Sequence, residues 1–261
     1  MPAHIVAVAN QKGGVGKTTT SVNLSACLAE AGWRVLTVDL DSQANATSGL
    51  GMEKTEGGSV YRPLLGEGTL QERIKPTEWE RLSLIASEVD LCGAEVELAR
   101  SDDYLNRLKS ILRPVADTDQ FDVIVLDCPP SLGILTLNAF AAAHKLLVPL
   151  QCEYYALEGI ATITRILGQV RDNGINPTLE LLGVVMTMFD GRTKLSQTVV
   201  SEVREHFAEK VFETVIPRTT RVAEAPSFGK PIIRYDPYSA ASAAYELLAE
   251  EVAKRLNLSK R

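Results

Sequence analysis

A single α/β domain with a mainly parallel, twisted sheet and helices on both faces is predicted by three observations. The chain opens with a five-residue apolar run, Ile5 to Ala9, followed by a glycine-rich loop and a helix-period segment. A second apolar run, Val123 to Leu126, ends in a carboxylate, Asp127. Elsewhere, short β-branched or aliphatic runs alternate with amphipathic segments, the order that right-handed βαβ crossovers produce. No internal repeat, linker or low-complexity stretch divides the 261 residues, so one domain over residues 1–261 is expected.

After the loop, Leu24, Cys27, Leu28 and Ala31 fall at i, i+3, i+4 and i+7, one buried helix face over 17–31, and Gly32 ends that helix. The run Val35 to Val38 is the next strand and leads into Asp39-Leu40-Asp41-Ser42-Gln43. Strand alternation places Asp39 and Asp41 on the same side of the carboxyl end, where open parallel sheets bind ligands. Residues 42–59 lack periodicity and read as a polar, mobile segment suited to a switch. Over 60–120 the expectation is a short strand, Leu82 to Ala86, and two helices near 90–100 and 102–113, the second ended by Pro114.

Further strands are expected at Lys145 to Leu150 and Leu181 to Met188. Between them Tyr155 to Arg171 carries Ile160, Ile163, Leu167 and Val170 at helical spacing. A loop over 190–194 precedes a helix with Leu195, Val199, Val203 and Phe207 inward. The closing helix puts Tyr245, Leu248, Ala249, Val252 and Leu256 on one face and Glu246, Glu250, Glu251 and Lys254 outside.

Composition is that of a soluble globular chain, 45% hydrophobic and 23% charged. No apolar stretch reaches membrane-spanning length and no signal peptide precedes the first strand, so a cytoplasmic location is expected. The four cysteines, Cys27, Cys92, Cys128 and Cys152, are scattered without a C-x-x-C pair and read as small buried apolar residues. A net charge of −6 argues against a chain wholly coated for nucleic acid but leaves room for a local basic patch.

The loop Asn10-Gln11-Lys12-Gly13-Gly14-Val15-Gly16-Lys17-Thr18-Thr19 carries the chemistry. Its glycines let backbone N–H groups approach anionic oxygens at a helix start, so the whole is a phosphate cradle. Lys17 is placed to reach terminal phosphates, and the Thr18 hydroxyl to ligate Mg²⁺. Gln11 stands where the common G-x-x-x-x-G-K-[ST] pattern has glycine, and a second lysine, Lys12, stands at the loop entrance. Asp127, at the end of its apolar strand, would hold Mg²⁺ through water, and Pro129 and Pro130 stiffen the turn that follows. Asp41, read from the residues alone, is an N-cap or loop carboxylate at the strand end. Arg192, Lys194, Arg218, Arg221 and Lys230 fall in expected loops; singly each reads as solvated charge, together as a patch for a phosphate backbone.

These motifs resemble the ParA/MinD group of P-loop ATPases with a deviant Walker A loop, and within it the ParA/Soj chromosome- or plasmid-partitioning branch. The matches are the loop Lys12 to Thr19, Asp39 to Thr47, Leu126 to Ser131, Asp190 to Thr193, and Ile216-Pro217-Arg218 through Glu224 to Pro231. The resemblance implies a P-loop NTPase fold, ATP and Mg²⁺ as cofactors, and Lys12 acting across a homodimer on the partner's nucleotide. It further implies non-specific double-stranded DNA binding by the ATP dimer, and hydrolysis stimulated by a centromere-binding ParB/Spo0J-type protein, hence a nucleoid-associated location. By position, Lys12, Lys17 and Asp41 would be catalytic, Gly13, Gly14, Val15, Gly16, Thr18 and Thr19 nucleotide-binding, and Thr18 and Asp127 the metal set. Pro217 and Thr219 would lie near the adenine, and Arg192, Arg221 and Lys230 on the DNA. No N-terminal helix-turn-helix domain is expected, since the first strand begins near Ile5.

Three alternatives share the loop. A MinD-like ATPase cycling on membranes would need a basic amphipathic tail after Leu256, where five residues stand. A nitrogenase-type cluster protein would need its cysteine in a different context from Cys128. A cobyrinate- or biotin-pathway ligase would need a small-substrate pocket motif, and none is legible.

Overall fold

The computed structural model describes residues 2–154 and 156–258. Eight strands form one sheet: β1 (His4–Val8), β2 (Val35–Asp39), β3 (Lys75–Pro76), β4 (Leu82–Ile85), β5 (Val123–Asp127), β6 (Lys145–Gln151), β7 (Glu180–Phe189) and β8 (Val211–Pro217). Their order is β3-β4-β2-β5-β1-β6-β7-β8, parallel throughout except for the two-residue β3, which runs antiparallel to β4 at one edge. The helices are α1 (Lys17–Glu30), α2 (Asn45–Gly49), α3 (Tyr61–Leu64), α4 (Ala94–Leu98), α5 (Arg107–Ala116), α6 (Ile134–Ala142), α7 (Ala156–Asp172), α8 (Lys194–Phe207), α9 (Thr220–Glu224), α10 (Ile232–Tyr235) and α11 (Ala240–Arg255).

Alternation along the central strands divides the core in two. Ile5, Ala7, Ile124 and Leu126 face one side and pack with Leu108 and Leu112 of α5, Phe140 of α6 and Ile160 and Ile163 of α7. Val6, Val8, Val123 and Val125 face the other and pack with Leu24 and Leu28 of α1 and Tyr245, Leu248 and Val252 of α11. Each such side chain buried on folding contributes about 1.5–3 kcal/mol, so the sheet is clamped from both faces. The β8 edge is closed by α11, whose Glu251 carboxylate accepts the Glu213 and Thr214 N–H groups at 2.9 and 2.8 Å. Unpaired donors that could recruit another strand are thereby covered.

Several expectations are corrected. Residues 42–59 are not uniformly loose: they contain α2, whose Ala46 and Thr47 are fully buried. The region near 90–100 is a 3₁₀ turn, Val89–Gly93, running into the short α4, and the next helix spans Arg107–Ala116 with Pro114 inside its last turn. Pro114 lacks a donor, so the Ser110 carbonyl goes without its helical partner, and the helix ends two residues later. Strand β3 and helix α6 had no expected counterpart; the α6 sequence is apolar nearly all round and gives no periodicity. Leu195 is 50% exposed, while Val199 and Val203 face inward as expected. Cys92 is exposed, the other three cysteines buried. The expected helix start at Tyr155 and the tail residues 259–261 lie outside the described residues.

Candidate nucleotide site

The loop between β1 and α1 turns on Gly14 and Gly16, whose φ angles of 74° and 88° are left-handed. Residues with a Cβ pay about 1–2 kcal/mol there, which fixes glycine at both positions. The loop is fastened from behind. The Thr187 hydroxyl of β7 donates to the Val15 carbonyl at 2.8 Å, and the Asn10 side chain donates to the Pro149 carbonyl at 2.8 Å while accepting the Lys12 N–H at 3.1 Å. The free N–H groups of the α1 N-terminus and their dipole face the same space, an anion cradle.

The two lysines differ. Lys17 is buried, and its ammonium donates to the Lys12 carbonyl at 3.1 Å across the loop. Burial pulls its pKa below the ordinary value, opposed by the carboxylates of Asp127 and Asp41. The Lys12 ammonium pairs with Glu153 Oε2 at 2.8 Å, both side chains 46% exposed.

Opposite Lys17 stand two carboxylates, Asp127 on β5 and Asp39 on β2, register partners in adjacent strands and both fully buried. Asp127 Oδ1 accepts the Ser21 hydroxyl at 2.7 Å. Its Oδ2 is buried with no partner at hydrogen-bond distance, although the Thr18 hydroxyl is near enough to favour the carboxylate. Burial and the charge of Asp39 push the Asp127 pKa up. Asp39 is also pushed up by burial, against the Thr47 hydroxyl and N–H, which donate to its Oδ2 at 2.7 and 2.8 Å. An orphaned carboxylate oxygen beside a threonine hydroxyl is a hard-oxygen donor set, and it fits Mg²⁺.

Asp41 lies beyond the end of β2, so strand alternation does not govern it. Its Oδ1 accepts the Gln43 N–H at 3.0 Å, and its charge reaches Lys17. The loop-carboxylate reading has its counterpart in that bond, whereas the helix-capping one does not, since α2 is capped by Ala44 without a side-chain bond.

Beside the cradle a cleft of about 440 Å³ runs from Thr18 and Thr19 between Asn45 and Ser48 of α2 and the wall formed by Val222 and Lys230. Pro217 and Thr219 do not line it; Thr219 caps α9, its hydroxyl accepting the Arg221 N–H at 3.2 Å.

The five basic residues are exposed but not all in loops: Lys194 opens α8 and Arg221 lies on α9. Arg192 forms a two-pronged pair with Asp190 at 2.9 and 2.7 Å, which holds the Asp190 carboxyl down at about 2. The Arg218 charge acts on the same aspartate, and its N–H donates to the Phe189 carbonyl at 2.9 Å, so Arg192 and Arg218 share one corner. Arg221 pairs with Glu224 at 3.4 Å and Asp236 at 3.7 Å. Lys230 stands at the cleft.

Sequence reasoning missed four residues of this neighbourhood. Ser21 was within reach, one turn after Lys17 on the same helix face. Thr47, Glu153 and Val222 carry no local signal, because only the folded chain brings them to Asp39, Lys12 and the cleft.

The family described as an AAA domain matches residues 3–181. A chromosome-partitioning ATPase Soj of Thermus thermophilus is 52% identical over 251 residues, 96% of each chain. A chromosome partitioning protein ParA of Myxococcus xanthus is 50% identical over 253 residues, 97% of this chain and 88% of that one. The chain belongs to the ParA/Soj family of chromosome-partitioning ATPases. A solved structure described as cobyrinic acid a,c-diamide synthase from Mycobacterium smegmatis, with a bound ATP analogue and magnesium, superposes with a TM-score of 0.84 at 37% identity, covering 99% and 97% of the two chains. That likeness touches the ligase alternative, but its identity is below that of the ParA and Soj relatives. Among the described residues no helix is long and apolar enough to cross a membrane, and no group of three or more His, Cys, Asp or Glu could hold a metal ion.

Proposed function

We propose that this ParA/Soj ATPase binds ATP and Mg²⁺ at the loop Lys12 to Thr19 and completes its catalytic site by dimerising. ATP and Mg²⁺ are the cofactors, and the metal supplies charge neutralisation at the phosphates when bound. Thr18 would hold it directly and Asp127 through water. Lys17, Gly13, Gly14, Val15, Gly16 and Thr19 bind the phosphates, and Asp41 orients water. Lys17 loses its bond to the Lys12 carbonyl in exchange for a phosphate oxygen. Such chemistry needs positioning and charge more than covalent catalysis.

The observation that carries the reading is the divergence of the two lysines. Lys17 is buried in its own cradle, whereas Lys12, at the same loop, is held only by a half-exposed pair with Glu153. Such a surface pair is worth about 0–1 kcal/mol, so Lys12 is cheaply released to a nucleotide on a second chain. The ATP dimer then presents Arg192, Lys194, Arg218, Arg221 and Lys230 twice over to non-specific double-stranded DNA, and a ParB-type partner stimulates hydrolysis and release. The net charge of −6 makes this a patch rather than a coat.

The test is DNA retention on random-sequence duplex with ATP, with ADP and without nucleotide, over a salt series. Binding should require ATP and fall steeply with salt as counterions are released. Retention that is equal in all nucleotide states, or that persists after Arg192 and Arg221 are both replaced by alanine, contradicts the reading.

A further inference from the structure

The stretch from 87 to 98, chemically opaque in the sequence, is tied to both loops that carry site carboxylates. The Ser87 N–H donates to Thr47 Oγ1 at 2.9 Å, and the Thr47 hydroxyl donates on to Asp39. The buried Glu88 accepts the Gly57 N–H at 2.6 Å and the Ser59 hydroxyl at 2.5 Å, pinning the chain that follows Asp41. At the other end Glu95 Oε1 accepts the Leu135 N–H at 3.2 Å, in the first turn of α6.

That last bond is out of the ordinary for a helix start. The α6 N-cap is Gly133, which makes no side-chain cap bond, and Glu95 does the capping from 40 residues away. The carboxylate sits close: a Cβ on Gly133 would lie 2.1 Å from Glu95 Oε1, so a side chain there would displace the Glu95 end. The loop 128–133 thus has Asp127 at one end and a Glu95-held anchor at the other. Pro129 and Pro130 stiffen it, so a shift at the anchor reaches Asp127 instead of being absorbed.

We infer that Glu95 is a positioning residue for ATP hydrolysis, and that 87–98 is a bracket fixing the Asp127 loop against the segment after Asp41. The inference rests on Asp127 being the metal carboxylate. Misplacing a catalytic group by an ångström costs about a hundredfold in rate, so a bracket of this kind acts on turnover without touching the phosphate cradle.

The full chain carrying Glu95→Ala, Glu95→Gln, Gly133→Ser, or Glu95→Ala with Gly133→Ser is compared with wild type. The readouts are amide exchange over 128–135 without nucleotide, the Mg²⁺ concentration for half-maximal ATP turnover, and kcat and KM for ATP. Glu95→Ala should speed exchange over 128–135, lower kcat about tenfold or more and raise the Mg²⁺ requirement. KM for ATP should stay within about twofold, since uniform binding is untouched. Glu95→Gln keeps an acceptor oxygen and should stay near wild type. Gly133→Ser displaces the Glu95 carboxylate; with Glu95→Ala the serine becomes a local cap that should restore slow exchange over 128–135 but, having no tie to 87–98, should leave kcat low. This double variant also answers the case in which Glu95→Ala fails to fold. A wild-type kcat and Mg²⁺ response in Glu95→Ala, or a double variant with wild-type kcat, overturns the inference. Asp127→Asn separates the two layers. An unchanged Mg²⁺ response there sinks the metal assignment and the bracket with it. A lost response there, with wild-type behaviour in Glu95→Ala, overturns the bracket alone.

Discussion

Thr47→Val probes the order that the structure finds where the sequence suggested mobility. Thr47 is fully buried, and its hydroxyl is shared between two partners: it donates to Asp39 Oδ2 at 2.7 Å and accepts the Ser87 N–H at 2.9 Å. Valine keeps the shape and the β-branch, so no cavity forms and helix propensity hardly changes. The hydrogen bond to a charged carboxylate is worth about 1.5–3 kcal/mol, and stranding the Ser87 N–H away from water costs about 1–3 kcal/mol more. A loss of about 2.5–6 kcal/mol follows, out of a total near 5–15 kcal/mol for a domain. Urea unfolding of the nucleotide-free protein measures it, with an unchanged m-value required for the comparison. Thr47→Ser, which retains the hydroxyl, should recover most of the loss. A Thr47→Val protein within about 1 kcal/mol of wild type would refute the claim that Asp39, Thr47 and Ser87 form one buried network.

Two further outcomes are expected. Gly229, at φ 63°, has so little space that a Cβ would lie 2.8 Å from the Gly51 Cα, whereas Gly174, at φ 71°, has nothing within 4 Å. Gly229→Ala should therefore destabilise by about 1–3 kcal/mol more than Gly174→Ala in urea unfolding, the added cost being overpacking; equal losses would mean that the α2 segment is not seated on the Lys230 loop. The second concerns pH. Asp39 and Asp127 are both pushed above the usual carboxylate range, chiefly by burial and then by charge on neighbouring aspartates. The folded chain thus keeps protons that the unfolded chain gives up above about pH 4. The stability linked to them is complete below that pH and is lost as pH rises through the raised values. Without Mg²⁺, Asp127→Asn should lose less Tm than wild type between about pH 5 and about pH 8, and identical profiles would contradict the pairing.

The phosphate cradle was legible because its signals are local. Glycines at Gly14 and Gly16, a preceding apolar strand and a following helix all lie within 30 residues of one another. Asp127 was legible for the same reason, as the polar end of an apolar strand. The order of residues 42–59 was not, because polar residues that read as loop are recruited by a buried carboxylate in another element, a tertiary effect that outweighs local propensity. Helix α6 escaped because burial all round erases the period that marks an amphipathic helix. The strand rule does not reach Asp41 for a geometric reason: β2 ends at Asp39, two residues before it. Glu95 and Glu153 are charged residues without a motif, and their roles exist only in the distances to Leu135 and Lys12.

The central claim is that Lys12 serves a nucleotide on another chain, and the molar mass of Asp41→Ala in ATP and Mg²⁺, measured by light scattering with and without Lys12→Ala, tests it most directly. The account predicts a mass that doubles with ATP in Asp41→Ala and stays at one chain when Lys12→Ala is added. A mass that never doubles, or a doubling that survives the loss of Lys12, would contradict it.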